Sequence, residues 1–333
     1  MIITRTPLRV SFIGGGSDVP AWYASQGYGM TLTAAISLYV YCTISQHFDE
    51  KRYRVAYSMT EDVDSLGYLQ HDLIRCALLR CGYIDGGIEI HTIADVGGQG
   101  TGLGSSAAVT VGVLTGLHRM MGRDANFADV GKEAAAIEMI DLRVPSGKQD
   151  QYAVAKGGVN TWRFQNHEPV VDYTAHDVSG LVLGQWRATM VLYRTWCSRD
   201  SRSMLAAQKA GLETERGYAA MKQTLAMFVE TEQALLEGRM RDFGLLLDEA
   251  WRLKTKFNPE ASNPTLDAMY GRAIIAGAFG GKICGAGGGG YMLLVVPPEK
   301  KRAVDEAMGS KGRMVEWGVP GSQVVYDDEV HHE

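Results

Sequence analysis

The chain lacks any apolar run long enough to cross a membrane, and its start, Met1-Ile2-Ile3-Thr4-Arg5-Thr6-Pro7, lacks the charged-then-apolar pattern of a secretory leader. A cytoplasmic protein with no membrane partner is expected. Neither sign of charge dominates: 33 Lys and Arg against 38 Asp and Glu leave a formal net charge of −5. Such a balance offers no overall attraction for nucleic acid. Cysteine is scarce as well. Cys42, Cys76, Cys81, Cys197 and Cys284 form no Cys-x-x-Cys pair, and no histidine cluster stands at zinc-ligand spacing. They read as reduced, structural thiols. A fixed-period repeat and a low-complexity linker are both absent, so a repeat architecture is excluded.

What is present is a large apolar share and much glycine. With 333 residues, 46% of them hydrophobic, the chain can fill one large or two medium domains. The 40 glycines concentrate at residues 14–16, 97–104 and 280–290, where backbone must approach something closely or adopt positive φ. Hydrophobic periodicity predicts strands at 2–4, 8–13, 32–46, 52–58 and 87–92, with a helix over 69–81. Helices follow at 105–121 and 127–140. The second half reads as a strand near 188–195, helices at 201–212, 218–237, 240–257 and 264–279, and strands at 282–284 and 291–296. A last helix at 300–308 and a strand at 321–326 close the chain. This is mixed α+β, with a boundary placed between Gly157 and Gly180.

The central glycine cluster carries the most chemistry. Gly97-Gly98-Gln99-Gly100-Thr101-Gly102-Leu103-Gly104-Ser105-Ser106 leaves backbone N–H groups unshielded just before a predicted helix. Donors at the positive end of a helix dipole suit a phosphate. Ser105 and Ser106 can cap that helix or place a hydroxyl on a magnesium ion. A Walker A loop is excluded, because Leu103 and not Lys follows Gly102. A dinucleotide fingerprint is excluded too: counted from Gly100, its third glycine position falls on Ser105.

Residues 100–108 resemble the second motif of the GHMP kinases, Gly-x-Gly-Leu-Gly-Ser-Ser-Ala, a phosphate loop of non-Walker type. The resemblance implies that Gly100, Gly102, Leu103, Gly104, Ser105, Ser106 and Ala107 hold ATP. Pro7-Leu8-Arg9-Val10 followed by Gly14-Gly15-Gly16-Ser17-Asp18 is similar to the family's first motif. Lys282-Ile283-Cys284-Gly285-Ala286-Gly287-Gly288-Gly289-Gly290 is similar to its third. In the galactokinase-like branch an acidic residue nine after the Arg contacts sugar hydroxyls, and Asp18 stands there; a carboxylate can accept two hydrogen bonds from a diol. Gly15, Gly16, Ser17, Gly287 and Gly288 are implied neighbours of the substrate.

Pro145-Ser146-Gly147-Lys148-Gln149-Asp150-Gln151 looks like the galactokinase segment that supplies the catalytic aspartate. Asp150 would act as general base or electrostatic anchor, with Arg9 beside it stabilising the charge. Glu138 and Ser106 match the magnesium ligands of relatives, with Asp141 the competing carboxylate on the same predicted helix. Lys148 and Arg199 are candidates to hold a substrate phosphate, and Arg143 and Arg202 are further cations in reach.

The family resemblance implies a two-domain fold, a ribosomal protein S5 domain 2-like N-terminal domain (1–170) and a ferredoxin-like C-terminal domain (171–333). It also implies ATP and Mg2+ as cofactors and a small sugar phosphate as partner, and it leaves a homo-oligomer open. The wording of the first motif, with Ser262-Asn263-Pro264 and Gly280-Gly281-Lys282, is similar to the D-glycero-D-manno-heptose 7-phosphate kinases. That branch implies transfer to the anomeric C1 hydroxyl, giving heptose 1,7-bisphosphate for nucleotide-heptose and surface polysaccharide synthesis. Of the expected Gly-x-Ser-Arg-like segment only Ser198 and Arg199 match. A fucose, galactose or other hexose 1-kinase is the alternative. A non-catalytic sugar sensor on the same fold is a further one, although such a protein should have lost Asp150 or Glu138.

Overall fold

The first strand changes character along its length. β1 (Ile2–Ile13) alternates buried and half-buried residues as far as Arg5 and is buried on both faces beyond it. A strand with two buried faces must be covered by other elements on both sides. The computed structural model describes residues 1–97, 100–166, 171–197 and 200–328. After β1 come α1 (Pro20–Gln26), β2 (Gly29–Gln46), β3 (Tyr53–Ala56), β4 (Thr60–Val63), α2 (Asp72–Cys81) and β5 (Ile88–Ala94). Next are α3 (Ser105–Met120), α4 (Phe127–Ala136), α5 (Gln149–Lys156), β6 (Val159–Phe164) and β7 (Asp172–His176).

These strands form one sheet in the order β11-β1-β2-β5-β3-β4, where β11 (Gln323–Asp327) is the last strand of the chain. β2 pairs with β5 along Val40–Gln46 and with β6 along Gly29–Ala34, so its two halves serve two branches of the sheet. The two strand pieces expected at 2–4 and 8–13 are one strand. Its register against β2 shifts between Pro7 and Leu8, where proline withholds an N–H from the ladder. Helix α3 lies across β1 and β2. Gly112 and Gly116 let it settle there: a Cβ on Gly116 would stand 2.5 Å from Ile44 Cδ1, and one on Gly112 2.9 Å from Thr6 Oγ1.

The second half supplies α6 (Gly180–Thr189), β8 (Met190–Arg194), α7 (Ser201–Leu212), α8 (Glu215–Ala226), α9 (Phe228–Leu236) and α10 (Met240–Phe257). It continues with α11 (Pro264–Ile275), β9 (Gly280–Ile283), β10 (Tyr291–Val295) and α12 (Lys301–Met308). Its antiparallel sheet runs β8-β10-β9, and an isolated antiparallel bridge from Leu192 to Arg313 extends the β8 edge. Strand, helices, hairpin, helix and returning segment follow the ferredoxin-like plan. Phe12 ties the halves together, its ring 5.5 Å from Phe243 and 6.4 Å from Trp186, both edge-on.

A division into 1–170 and 171–333 is crossed at the end of the chain. β11 pairs antiparallel with β1 of the first sheet, and bridges join Gly157 to Pro320 and Ile36 to Trp317. The physical reason is the outer edge of β1, which would otherwise present unpaired backbone groups. No helix among the described residues is long and apolar enough to cross a membrane. Because α3 rests on the sheet through Gly116, Gly116→Val forces Ile44 aside and should cost about 1–3 kcal/mol of overpacking. A lower urea midpoint with an unchanged m-value is the expected readout, and an unshifted midpoint would mean that α3 does not sit this close.

Candidate active site

The three glycine segments and the start of α5 meet around one cleft of about 740 Å³. Its floor begins at the turn after β1. Gly14 has φ 83°, and a Cβ there would stand 1.9 Å from Met30 O, so only glycine lets the chain pass this close. Ser17, fully buried, donates to Met30 O and accepts from Met30 N, both at 2.9 Å. It fixes the turn and does not line the cleft. Gly15, Gly16 and Asp18 do.

Asp18 is 3% exposed and held from three sides. Gly16 N donates to Oδ1 at 2.9 Å, and Gln149 donates from its side chain to Oδ1 and from its backbone to Oδ2, each at 3.2 Å. Two carboxylate oxygens offer about four acceptor sites, so room for a substrate hydroxyl remains. Burial pushes the Asp18 carboxyl above its usual range; the Gly16 amide opposes this, and the charge of Asp150 adds to it. Gly147 is the reason α5 can approach: a Cβ on it would lie 1.8 Å from Asp18 Oδ2.

Arg9, on β1 and 3% exposed, reaches two other segments. Its Nε donates to Asp150 Oδ1 at 2.8 Å and its Nη2 to Asp150 Oδ2, a bidentate pair. Its Nη1 donates to Gly102 O at 2.8 Å, and its backbone N to Leu103 O at 2.9 Å. The central loop is thereby fastened to β1. Within it Gly100, Gly102 and Gly104 all have positive φ, and Gly104 stands at the N-cap of α3 with no side-chain cap. Neither serine caps the helix. Ser105 Oγ is 2.8 Å from Thr101 Oγ1, while Ser106 is exposed toward the cleft. The uncapped first turn leaves amide donors for an anion. Leu103 and Ala107 are buried in the core behind the loop, so of the loop residues these two contribute no side chain to the cleft.

The third glycine segment packs on the second, backbone against backbone. A Cβ on Gly102 would stand 2.4 Å from Cys284 O, and one on Gly290 2.4 Å from Gly100 O. Gly285 and Ala286 line the cleft; Gly287 and Gly288 do not. They face the segment after α10, where Gly288 N donates to Ala261 O at 2.5 Å. Lys282 Nζ crosses to the first segment, donating to Ser11 O at 2.8 Å and Phe12 O at 2.9 Å. Burial pulls this ammonium down to about 8; Cys284 opposes the shift and the charge of Arg9 adds to it.

α4 does not continue to residue 140 as expected. It opens at Ile137–Asp141 into one wide turn, with Leu142 N bonded to Ile137 O and Val144 N to Glu138 O. Such π-type turns re-aim side chains and are frequent at functional sites. Here the turn separates the two candidate carboxylates. Asp141 pairs with Arg80 of α2 at 2.6 Å. Glu138 is buried in the cleft wall, and its Oε1 has no hydrogen-bond partner among the described residues. Burial pushes its carboxyl up to about 7; a hydrogen bond from Gln151 opposes this, Asp150 adds to it and Arg9 opposes it. An orphaned buried carboxylate oxygen and an exposed serine hydroxyl lining the same cleft fit a hard divalent cation.

Lys148 stands outside the cleft, its ammonium 5.2 Å from the centre of the Tyr23 ring. Arg199 lies outside the described residues. Arg202, near the start of α7, does line the cleft, beside Asp200 and Gln208. The sequence reading gave no role to Gln149, which also accepts from Ser11 Oγ at 2.7 Å, or to Lys254, which donates to Gly285 O. Gln149 fills a variable place in its motif, and Lys254 sits on a helix without one, so only the fold singles them out.

Known proteins share the fold that carries this cleft. The description "GHMP kinases N terminal domain" matches residues 71–158 and "GHMP kinases C terminal" residues 231–313. A D-glycero-alpha-D-manno-heptose 7-phosphate kinase of Campylobacter jejuni is 29% identical over 303 residues, 86% of each chain. A galactokinase of Pyrococcus furiosus is 25% identical over 315 residues, again 86% of each. Among solved structures, a D-glycero-D-manno-heptose 1-phosphate kinase from Bacteriodes thetaiotaomicron superposes with a TM-score of 0.78 at 27% identity, covering 98% of this chain and 100% of that one. Fold and cleft thus define a small-molecule phosphotransferase, a sugar kinase. The chain belongs to the GHMP kinases, which take their phosphate from ATP.

The buried Lys282 gives a pH test. Unfolded, a lysine keeps its proton to about 10.4; folded, this one loses it near 8. Between those values the unfolded state binds more protons, so stability rises with pH. The wild type should gain up to about 3 kcal/mol over Lys282→Met between those pH values. Parallel denaturation curves at every pH would remove the burial argument.

Proposed function

We propose that this kinase transfers the γ-phosphoryl group of ATP to the anomeric C1 hydroxyl of D-glycero-D-manno-heptose 7-phosphate. The product, heptose 1,7-bisphosphate, would feed nucleotide-heptose and surface polysaccharide synthesis in the cytoplasm. The observation that carries the phosphoryl-transfer reading is Asp150, gripped by Arg9 at the cleft floor beside an uncapped helix start. The heptose reading is supported by the relatives, one named a heptose 7-phosphate kinase and another a heptose 1-phosphate kinase. Those names differ in where the sugar already carries phosphate, so the acceptor position needs its own test.

In this reading the γ- and β-phosphates lie against the free amides of Ser105, Ser106 and Ala107. The apolar end of the cleft, at Val40, Leu73 and Val96, receives the base. The sugar lies toward Asp18, which accepts a hydrogen bond from one of its hydroxyls. Asp150 takes the proton of the attacking hydroxyl as the O–P bond forms and the bond to the β-phosphate oxygen breaks. Arg9 orients Asp150 through its bidentate contact. Glu138 and Ser106 are the residues to hold Mg2+, which when bound supplies charge neutralisation on the phosphates. Arg202 receives the phosphate the substrate already carries: its one side-chain hydrogen bond among the described residues is the long 3.4 Å contact to Leu142 O, whereas Arg9 is committed to Asp150 and Lys282 and Lys254 to backbone carbonyls.

ADP release should be measured across heptose 7-phosphate, free heptose, mannose, galactose, fucose and mevalonate, with phosphorus NMR to locate the new ester. Turnover on heptose 7-phosphate with a new C1 phosphate is expected. Arg202→Ala should raise KM for that substrate about 10–100-fold, the value of one charge-assisted contact, with little change in kcat. Turnover confined to an unphosphorylated sugar would replace the heptose assignment by another sugar 1-kinase, and silence on every sugar would point to a sensor.

A further inference from the structure

Away from the cleft, three helix segments bring together the residue types that bind soft metals. Cys81 is the last residue of α2, His118 lies two residues before the end of α3, and Glu133 is in the second half of α4. One ligand atom from each, a thiol sulfur, a ring nitrogen and a carboxylate oxygen, all fall within 4.8 Å of one another. The nearest atoms of a tetrahedral zinc site, with bonds of about 2.0–2.3 Å, stand roughly 3.3–3.8 Å apart. Side-chain shifts of about an ångström would therefore close the set around an ion. The sequence gives no hint of this, since the three residues sit on different helices at no recognised metal spacing.

We propose that Cys81, His118 and Glu133 form a binding site for one Zn2+ ion, with water in the fourth position. The helix packing already orients the ligands. His118 Nε2 is 2.7 Å from Glu133 Oε2, and its Nδ1 is buried with no hydrogen-bond partner among the described residues. The ring thus keeps one nitrogen uncommitted to the fold, and Cys81 supplies sulfur from the buried side. His118 and Glu133 retain 13% and 19% side-chain exposure, enough for an ion and a water to enter from the surface.

The donor set selects the ion. Sulfur and imidazole nitrogen beside a single carboxylate suit Zn2+, whereas Mg2+ and Ca2+ take all-oxygen sites. The site is separate from the cleft. His118 stands 13 residues along α3 from Ser105, roughly 20 Å at 1.5 Å per residue. Its effect would be to clamp the C-terminal parts of α2, α3 and α4; α3 starts at the phosphate loop, and α4 runs on from Glu133 into the wide turn that carries Glu138.

The test uses the full chain stripped by a chelator and titrated with Zn2+ against a chromophoric competitor. One tightly held equivalent is expected, with a rise in Tm. Cys81→Ser and His118→Gln should each weaken binding by more than about tenfold. Co2+ in place of Zn2+ should give thiolate-to-metal charge-transfer absorption that Cys81→Ser abolishes. Kinase turnover with Mg-ATP, unchanged in both variants, shows that they are folded; if Cys81→Ser is not, Glu133→Gln replaces it. Absence of a stoichiometric equivalent, or affinity unchanged in folded variants, would overturn the proposal.

Discussion

One arginine holds the cleft together. Arg9 comes from β1, grips Asp150 at the start of α5 with both ends of its fork, and fastens the central loop through Gly102 O and Leu103 O. Three segments separated by about a hundred and forty residues of sequence thus share one guanidinium. The planar fork suits this because it offers several donors in fixed geometry, which a lysine would not. Arg9 itself is almost wholly buried, whereas the Asp150 side chain keeps 30% exposure on the cleft. A charge so buried needs its partner, and removal of either member of such a pair leaves the other poorly compensated. The carboxylate keeps an open side toward the place where a hydroxyl can arrive.

The second constraint is the contact between glycine loops. Gly102 lies against the backbone of Cys284, and Gly290 against that of Gly100, so both loops need bare backbone at the same places. Lys282, reaching from the third segment to the carbonyls after Arg9, completes the ring of contacts among the three. Loop positions are therefore coupled: displacement of one moves the amide donors of the next. Such preorganised donors cost little rearrangement when charge builds up on a phosphate.

Much of this was legible in the sequence because glycine needs are local. Clusters at 14–16, 97–104 and 280–290 announced close backbone approach, and the resemblance to the GHMP motifs pointed to Arg9, Asp18 and Asp150 beside them. The edges of elements were less legible. A period of 3.6 residues continues through Ile140, yet the chain opens into a wide turn at 137–141 because α4 must deliver Glu138 to the cleft while Asp141 pairs with Arg80. Gln149 and Lys254 were invisible, since their partners lie on distant segments. Ser17, Leu103 and Ala107 sit within the motifs yet act through packing and turn bonds, and Gly287 and Gly288 shape the loop from behind. The return of β11 to the first sheet depends on an unpaired edge that no local pattern reveals.

The central claim is that Arg9 and Asp150 act as one unit, and a double-mutant cycle on kcat tests it most directly. Asp150→Asn, Arg9→Met and the double variant would be compared with wild type after thermal melts confirm that each is folded. The account predicts that either single change lowers kcat by about 10²–10⁴-fold and that the double loses little more. Losses that multiply in the double variant would mean that the two residues contribute independently, and the pair would no longer explain the site.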